Sequence, residues 1–497
     1  MLKLGPFQFG YSAIDDKGRR KAPSRSVRHE QYELPARKRD RLQATAQEQA
    51  RNHSIVAWMV RKHLDYVSKF HISFKTDREQ LDTLVNRIFR WHGHPRNLDF
   101  TGRFGRDEMF RLFEMEKVLT GDAGLIKLGG MKLQPLESDL IAKGSLPSGS
   151  TIDQRNLWKS INDAGLIVDS MGIPTHYAIC NRGPDGKDHV FDHAEPRDNV
   201  IFDAYWTRFG SQWRGVSPLS TAINTVADVS EGMEYNVIKA KMHALFGVAI
   251  LRKSGEIDMG GQLPTPESEN GEAETSAYSD DKTLDPRTIN MLDLEPDEDI
   301  KMIESGTPSR EFVEGIHLFI HVAMLALDIP VTSFDSRRSS FSARIADLNE
   351  YEVSCNYKRT KNRYVMQDYS NWVLETIWND NADPWNLRSV ANADGVNRLI
   401  DLQEAVEWIP SGAPWLDKFK QVQGDKLAIS LMLDNSIDAA RRRGSDVFKN
   451  IDKQAEVIAY AREKGVPIDW AAGGEQSVAD AAGRDEDEDE PDGEESR

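Results

Sequence analysis

Apolar positions along the chain fall into stretches of different period. From Ala44 onward, Ile55, Met59, the stem of Lys62 and Tyr66 recur at helical spacing, with no Gly or Pro before Gly93. That spacing predicts helix throughout. A second amphipathic helix is predicted over Asp107 to Leu119, with Met109, Phe110, Phe113 and Val118 on one side and Gly121-Asp122-Ala123-Gly124 at its end. Between Gly124 and Asp203 the pattern shortens. Leu125–Leu128, Gly165–Val168, His176–Ile179 and Val200–Phe202 read as strands, separated by turn residues such as Gly183-Pro184-Asp185-Gly186.

Helical period returns after Ser217-Pro218. Leu219, Ile223, Val226, Ser230, Met233, Val237, Ala240 and Ala244 form one narrow seam, with Gly232 as a candidate bend. Ser254 to Arg287 is poor in apolar residues and reads as an exposed insert. A strand is expected within Met291–Ile303. A second helix starts after Ser309, a good N-cap with Glu311 in the first turn. Its apolar face is Phe312, Ile316, Phe319, Ile320, Ala323 and Leu327, and Pro330 is the expected stop. A polar loop, Thr332 to Ser340, follows. No Gly or Pro then occurs until Pro384, so Phe341 to Trp378 is one very long helix or two in line. Asp401 to Ile468 reads as mainly helical, interrupted at Pro410-Ser411-Gly412-Ala413-Pro414 and at Gly444 and Gly465. The fold class is α+β, and no internal repeat is visible.

The length, 497 residues, calls for more than one core. There are 80 acidic against 63 basic residues, a net charge of −17. A tight general nucleic-acid binder would be basic, so loose contact with DNA fits better than grip. Charge is unevenly spread. Residues 1–41 form a basic arm, read either as a solvated tail or as an arm lying along an acidic partner or a neighbouring subunit. Residues 485–497 hold nine acids against Arg497, a composition that predicts disorder by like-charge repulsion. The two cysteines, Cys180 and Cys355, form no framework and read as small buried residues. No apolar run reaches a membrane span; the closest, Ile316 to Val331, contains His317, His321 and Asp328. The first residues show no signal-peptide pattern, so a membrane-spanning or exported class is not expected.

Candidate chemistry is sparse. No phosphate-binding loop, dinucleotide fingerprint or nucleophile elbow is present. The best metal candidate is His189-Val190-Phe191-Asp192-His193-Ala194-Glu195, since alternate residues of a strand share a face and bring the two histidines together. Trp91-His92-Gly93-His94-Pro95 is a weaker one. No catalytic residue and no cofactor are assigned.

One segment carries more. Arg208-Phe209-Gly210-Ser211-Gln212-Trp213-Arg214-Gly215-Val216-Ser217-Pro218-Leu219 resembles the lambda family of tailed-phage portal proteins, in which a Gln-x-Arg-Gly-Val segment leads from a β-rich wing into a long helix. Other stretches agree in order. Phe100 to Leu119 resembles the helix that ends in Gly-Asp, and Leu133-Gln134-Pro135-Leu136-Glu137-Ser138-Asp139 resembles a strand of the family. Gly165-Leu166-Ile167-Val168-Asp169 with Pro174-Thr175-His176-Tyr177 is similar to a further pair. Ala326-Leu327-Asp328-Ile329-Pro330 followed by Ser339-Ser340-Phe341-Ser342-Ala343-Arg344 is similar to the family's Ser-Ser-x-Arg element. Trp408, Trp415, Asp417 and Lys420 echo its late tryptophan pattern. The chain departs from the family at Pro296-Asp297, at Asp417-Lys418 and in the acidic insert from Gly260 to Asp285.

The resemblance implies a portal fold: a basic arm (1–41), a wing (42–216), a first stem helix (217–250), a clip with the acidic insert (251–305), a second stem helix (306–330), a tunnel loop (331–343), a long wing helix (344–384), a helical crown (385–480) and an acidic tail (481–497). It implies a head-tail connector: a homo-oligomeric ring, a dodecamer, at one capsid vertex of the virion, assembled in the host cytoplasm. Double-stranded DNA is packaged and ejected through its channel. The expected partners are the terminase (the packaging ATPase), the major capsid protein and a head-tail adaptor, with no membrane. Ser333, Ser336, Arg337, Arg338, Ser339 and Ser340 fall where the tunnel loop meets DNA, and Gln212, Arg214, Gly215, Ser340 and Arg344 match family positions. Lys358, Arg359, Lys361 and Arg363 form a basic stripe read mainly as subunit–subunit pairing. Two other readings stand beside this one: a metal-dependent nucleic-acid enzyme using His189, Asp192 and His193, and a helical scaffold or adaptor.

Overall fold

The computed structural model describes residues 30, 34–76, 78–183, 185–186, 188–210, 212–245, 248–252, 298–302, 309–335, 339–412 and 418–466. Most of the basic arm, the Gly260–Asp285 insert, Ser336-Arg337-Arg338, Trp415, Asp417 and the acidic tail lie outside these residues.

The expected helix from Ala44 to His92 is three helices and a strand. Helix α1 (Ala36–Asn52) gives way at His53, whose backbone is extended, to α2 (Ser54–Val67). Strand β1 (Phe70–Phe74) follows, then α3 (Glu79–His92), which opens with Glu79 and Asp82 in its first turn. Phe70, Ile72 and Phe74 carry a two-residue period too short to stand out between helices. Their partner is the far end of the chain.

Helix α4 (Arg106–Thr120) stops at Gly121, which sits at φ 104°, a left-handed conformation open to glycine. Strands β2 (Asp122–Leu128), β3 (Lys132–Leu136) and β7 (Val200–Ala204) form an antiparallel sheet in the order β3-β2-β7. Strands β4 (Leu166–Val168), β5 (Pro174–Arg182) and β6 (His189–Pro196) form a second, in sequence order. Helix α5 (Ile152–Ser160), not anticipated in this β-rich stretch, is started by a capping box between Thr151 and Gln154.

A short helical turn at Pro218–Thr221 leads into α6 (Ile223–Leu245). Strands β8 (Val248–Arg252) and β9 (Glu298–Met302) pair antiparallel, and α7 (Arg310–Met324) returns along α6. Ser309 caps α7 by accepting from the Phe312 amide at 3.2 Å. Helix α6 runs unbroken through Gly232, whose bare Cα faces Phe312 and Ile316 of α7. Helix α7 stops short of the expected proline. A tight turn at Leu325–Leu327 and Asp328 at φ 61° end it, and Pro330 lies in the loop beyond.

Helix α8 (Phe341–Asn379) is continuous over 39 residues and capped by Ser340, which accepts from the Ala343 amide. Beyond it come α9 (Leu387–Ala393), α10 (Leu399–Glu404), β10 (Val406–Pro410), α11 (Lys418–Ser430), α12 (Ser436–Arg442) and α13 (Val447–Glu463). The expected helical run from Asp401 therefore contains a strand. β10 pairs antiparallel with β1, Phe70 opposite Pro410 and Phe74 opposite Val406.

Three main cores organise these elements. The first joins β1, α3, α4, the second half of α8, α9 and β10 around Phe74, Phe110, Tyr369 and Trp408. Trp408 is fully buried, and its indole N–H donates to Ser370 at 2.8 Å. The second joins α2, the end of α4, the bases of α6 and α7, and the first half of α8, around Met59, Val226, Met324 and Tyr351. The third lies between the two sheets, around Ile126, Leu136, Leu166 and Tyr177. Cys180 and Cys355 are both free and buried, as their isolation in sequence suggests.

Candidate functional site

The Gln212-x-Arg214-Gly215 segment links strand β7 to helix α6, and the Gln212 and Arg214 side chains are both buried. Arg214 lays a two-pronged guanidinium on Asp122, with Nε at 2.7 Å from Oδ2 and Nη2 at 2.8 Å from Oδ1. It also donates to the carbonyls of Ser138, Ile141 and Ala164. The Gly215 amide donates to the same Asp122 carboxylate at 2.8 Å. Burial pushes the Asp122 carboxyl up, but the guanidinium and these hydrogen bonds outweigh it and hold it below the usual carboxylate range. Gly215 has no room for a side chain, because a Cβ there would stand 1.9 Å from the Gly121 carbonyl oxygen. Gln212 completes the turn: its Oε1 accepts from the Thr207 and Arg208 amides, and its Nε2 donates to the Tyr205 and Arg214 carbonyls. These residues therefore fasten the turn before α6 to strand β2 and to the Ser138–Ala164 stretch of backbone.

A second buried node stands beside it. Lys117 lies 2.8 Å from Glu114 and 2.6 Å from Asp203, and donates to Asn362 of α8 at 2.7 Å. His63 of α2 and the Tyr205 hydroxyl both reach Glu114. Burial alone would lower the Lys117 ammonium, but the two carboxylates raise it above its ordinary value. Burial keeps the His63 imidazole below its ordinary value. The node ties α2, α4, β7 and α8 together where the stem begins.

The stem pair buries only part of its surface. Val226 and Val229 of α6 and Ile320, Ala323 and Met324 of α7 enter the second core. Met233, Val237 and Ile238 on α6, with Leu318, Phe319, Val322 and Leu325 at α7 and its end, remain 45–60% exposed. The seam expected along Leu219 to Ala244 is thus buried at its base and open at Met233, Val237 and Ala240.

The loop after Pro330 opens with a helical turn at Val331–Ser333 and a buried Thr332. Phe334 packs edge-on against Trp58 of α2, with ring centroids 5.8 Å apart. Of the expected DNA-facing residues, Ser333 lies in that turn, Ser339 precedes the cap and Ser340 is the cap of α8. Ser336, Arg337 and Arg338 lie outside the described residues. Arg344 is exposed on the first turn of α8.

The basic stripe is in part committed within the chain. Lys358 pairs with Asp328 at 2.8 Å. Arg359 is buried and bonds Glu352, Asn356 and the Tyr66 carbonyl. Lys361 sits over the Tyr357 ring, and Arg363 is exposed. Lys358 and Arg359 thus have partners inside the chain, Asp328 for the first and Glu352 and Asn356 of α8 itself with the Tyr66 carbonyl for the second.

The histidine candidates are also used elsewhere. A bulge at Asp192 sets Phe191 opposite Cys180 but His193 opposite Ile179, so His189 and His193 point to opposite faces of β6. His189 pairs with Asp139, and His193 with Asp192 and Glu195. His92 is the buried last residue of α3, bonded through Nδ1 to the Tyr369 hydroxyl and through Nε2 to the Met131 carbonyl. His94 caps the following turn. Among the described residues no group of three His, Cys, Asp or Glu side chains could hold a metal ion, so the metal-enzyme reading has no site there. Among the same residues no helix is long and apolar enough to cross a membrane.

No curated protein matches the chain. Solved structures of similar fold include a chain of the virion of a native gene transfer agent particle, at 14% identity and TM-score 0.42 over 82% of this chain and 93% of that chain. Another is a chain from the neck of the native particle computed with C12 symmetry, at 14% identity and TM-score 0.41 over 82% of this chain and 94% of that one. The firm assignment comes from sequence. The model of the phage portal proteins of the lambda family matches residues 17–358, which hold the motif at Gln212–Gly215, both stem helices and the Ser340 cap. The chain belongs to that family and is a phage portal-type structural subunit.

Proposed function

We propose that copies of this chain close into a ring whose stem helices surround a channel for double-stranded DNA, with twelve subunits as the family resemblance implies. The observation that carries the ring is the apolar surface left open on α6 and α7 from Met233 and Leu318 onward. Water-exposed apolar side chains on both helices of a hairpin ask for a neighbour, and two unlike faces repeated head to tail close a ring. The β8–β9 hairpin at the far end of that stem is the reading's clip, where the terminase docks as a separate packaging ATPase; the portal itself does no chemistry. The capsid protein and a head-tail adaptor contact the wing and clip in the virion, after assembly in the host cytoplasm. Ser333 to Ser340, with Arg337 and Arg338, meet the DNA backbone transiently, since basic and hydroxyl side chains position phosphates without reading sequence.

Electron microscopy of the purified protein, with its mass in solution, tests the ring. Annular particles near twelve subunit masses are expected, and Val237→Asp with Val322→Asp should leave folded chains that form none. Rings unaffected by both substitutions would show that the stem faces are not the contact. Arg337→Ala with Arg338→Ala should keep the ring and lower DNA packaged per particle.

A further inference from the structure

We propose that the first residues of this chain, Leu2 to Tyr11, dock in a groove of their own subunit between the second sheet, strand β7 and helix α8. This goes beyond the ring reading and does not depend on it. The segment also precedes residue 17, where the family match begins.

The groove encloses about 910 Å³. Ile173, Tyr177, Phe202, Trp206 and Trp213 give it an apolar, largely aromatic wall. The rings of Tyr177 and Phe202 lie 5.0 Å apart, and Phe202 and Trp206 6.5 Å apart. Several apolar groups at the rim face water. Met171 is 83% exposed, and Phe209, beside the lining residue Gly210, is fully exposed. An apolar patch of this kind marks a contact surface rather than a resting one. Helix α8 adds Asp368 and Glu375 to the lining, and Asp198 stands opposite. Neither Asp368 nor Glu375 forms an ion pair among the described residues, and burial raises the Asp368 carboxyl. Lys127 and Arg197 are also in the lining, with Lys127 donating to the Asp198 carbonyl.

The occupant follows from where the chain enters. Glu30 pairs with Arg208 at 2.9 Å, in the same loop that carries Trp206 and Trp213. Glu30, the residue that follows the first 29, therefore stands beside the loop that lines this groove. Residues 1–29 contain seven bases (Lys3, Lys17, Arg19, Arg20, Lys21, Arg25 and Arg28) against Asp15 and Asp16, and Lys3, the one charge within Leu2 to Tyr11, complements the groove carboxylates. At their start Phe7, Phe9 and Tyr11 alternate with Gln8 and Gly10, and Leu2 and Leu4 flank Lys3. Alternation of this kind presents one apolar edge in an extended chain, which suits a shallow aromatic groove. The nineteen residues from Tyr11 to Glu30 reach up to ~60 Å when extended, ample for the short return to the groove.

Engineered disulfides in the full chain test this. Cys180 and Cys355 are buried and do not compete. Gln8→Cys is paired with Met171→Cys, and as a control with Val353→Cys, an exposed position on α8 that does not line the groove. Under mild oxidation the Met171 pair should form an intrachain disulfide at least tenfold faster than the control, read by peptide mass. Phe209→Cys in place of Met171→Cys provides a second pair should the first variant fold poorly. Equal rates at the groove and at Val353 would overturn the proposal in favour of a solvated tail. Disulfides formed only between chains would overturn it in favour of docking on a neighbour.

Discussion

Arg214→Met is the sharpest test of the joint between strand β2 and the segment that leads into α6. The substitution keeps an unbranched stem but removes the guanidinium that pairs with Asp122 and serves three backbone carbonyls. Asp122 is completely buried and would be left with the Gly215 amide, the Ser138 hydroxyl and the more distant charge of the buried Arg39 in place of its bonded guanidinium. Breaking a buried pair from one side costs about 3–5 kcal/mol. The three orphaned carbonyls add to this, each about 1 kcal/mol or more, while protonation of Asp122 caps the electrostatic part. A loss near the upper end of that range is expected. Arg214→Met with Asp122→Leu removes both charges and should recover at least half of it. The pH dependence has a fixed sign. The folded-state pKa of Asp122 lies below its unfolded value, so the pair's contribution is full above about pH 4 and fades as pH falls through the folded value. Wild type and Arg214→Met should therefore converge in acid. Urea denaturation followed by tryptophan fluorescence, at pH 7 and in steps below pH 4, reads all three proteins. A single variant within 1 kcal/mol of wild type at pH 7, or a double variant no better than the single, would falsify the assignment of this pair as the joint.

Gly215→Ala should prevent stable folding, since its Cβ would overlap the Gly121 carbonyl; a soluble variant with an unchanged melting point would contradict the close approach. Lys117→Met should cost about 3–5 kcal/mol by leaving Glu114 and Asp203 buried without their cation, with Lys117→Met plus Glu114→Gln less damaging than the single change in the same melts. His92 is held neutral by burial, its pKa pushed down to about 4, so its contribution is full above pH 6.5 and is lost as pH falls from there through 4, on the order of 3 kcal/mol. His92→Gln should flatten that part of the stability–pH curve, and an unchanged slope would count against it.

Helices α7 and α8 were legible because their signals are local. Ser309 and Ser340 announce their helices by capping, and the absence of Gly and Pro after Phe341 announces one long helix, as found. Strand β1 was not legible, because five residues of alternation between two helices mean little until Val406–Pro410 arrives from the far end of the chain. The motif at Gln212–Gly215 was visible as a family mark, but its chemistry was not. The partner of Arg214 is Asp122, brought up by the sheet and by the left-handed turn at Gly121. His189 and His193 misled for the opposite reason. One extra residue, Asp192, reverses the alternation and is invisible without the opposing strand.

Helix α8 places Tyr351 and Cys355 in one core and Tyr369, Val373 and Ile377 in another, with neither glycine nor proline between them. In mechanical terms it is a single beam, about 58 Å long at 1.5 Å per residue, clamped at two points and free at the end that carries Ser340. A push on the loop before Ser340 therefore has no joint in which to dissipate. It arrives as leverage at Trp408 and at the β1–β10 pair, so a load taken up at Ser340 is borne by the first core.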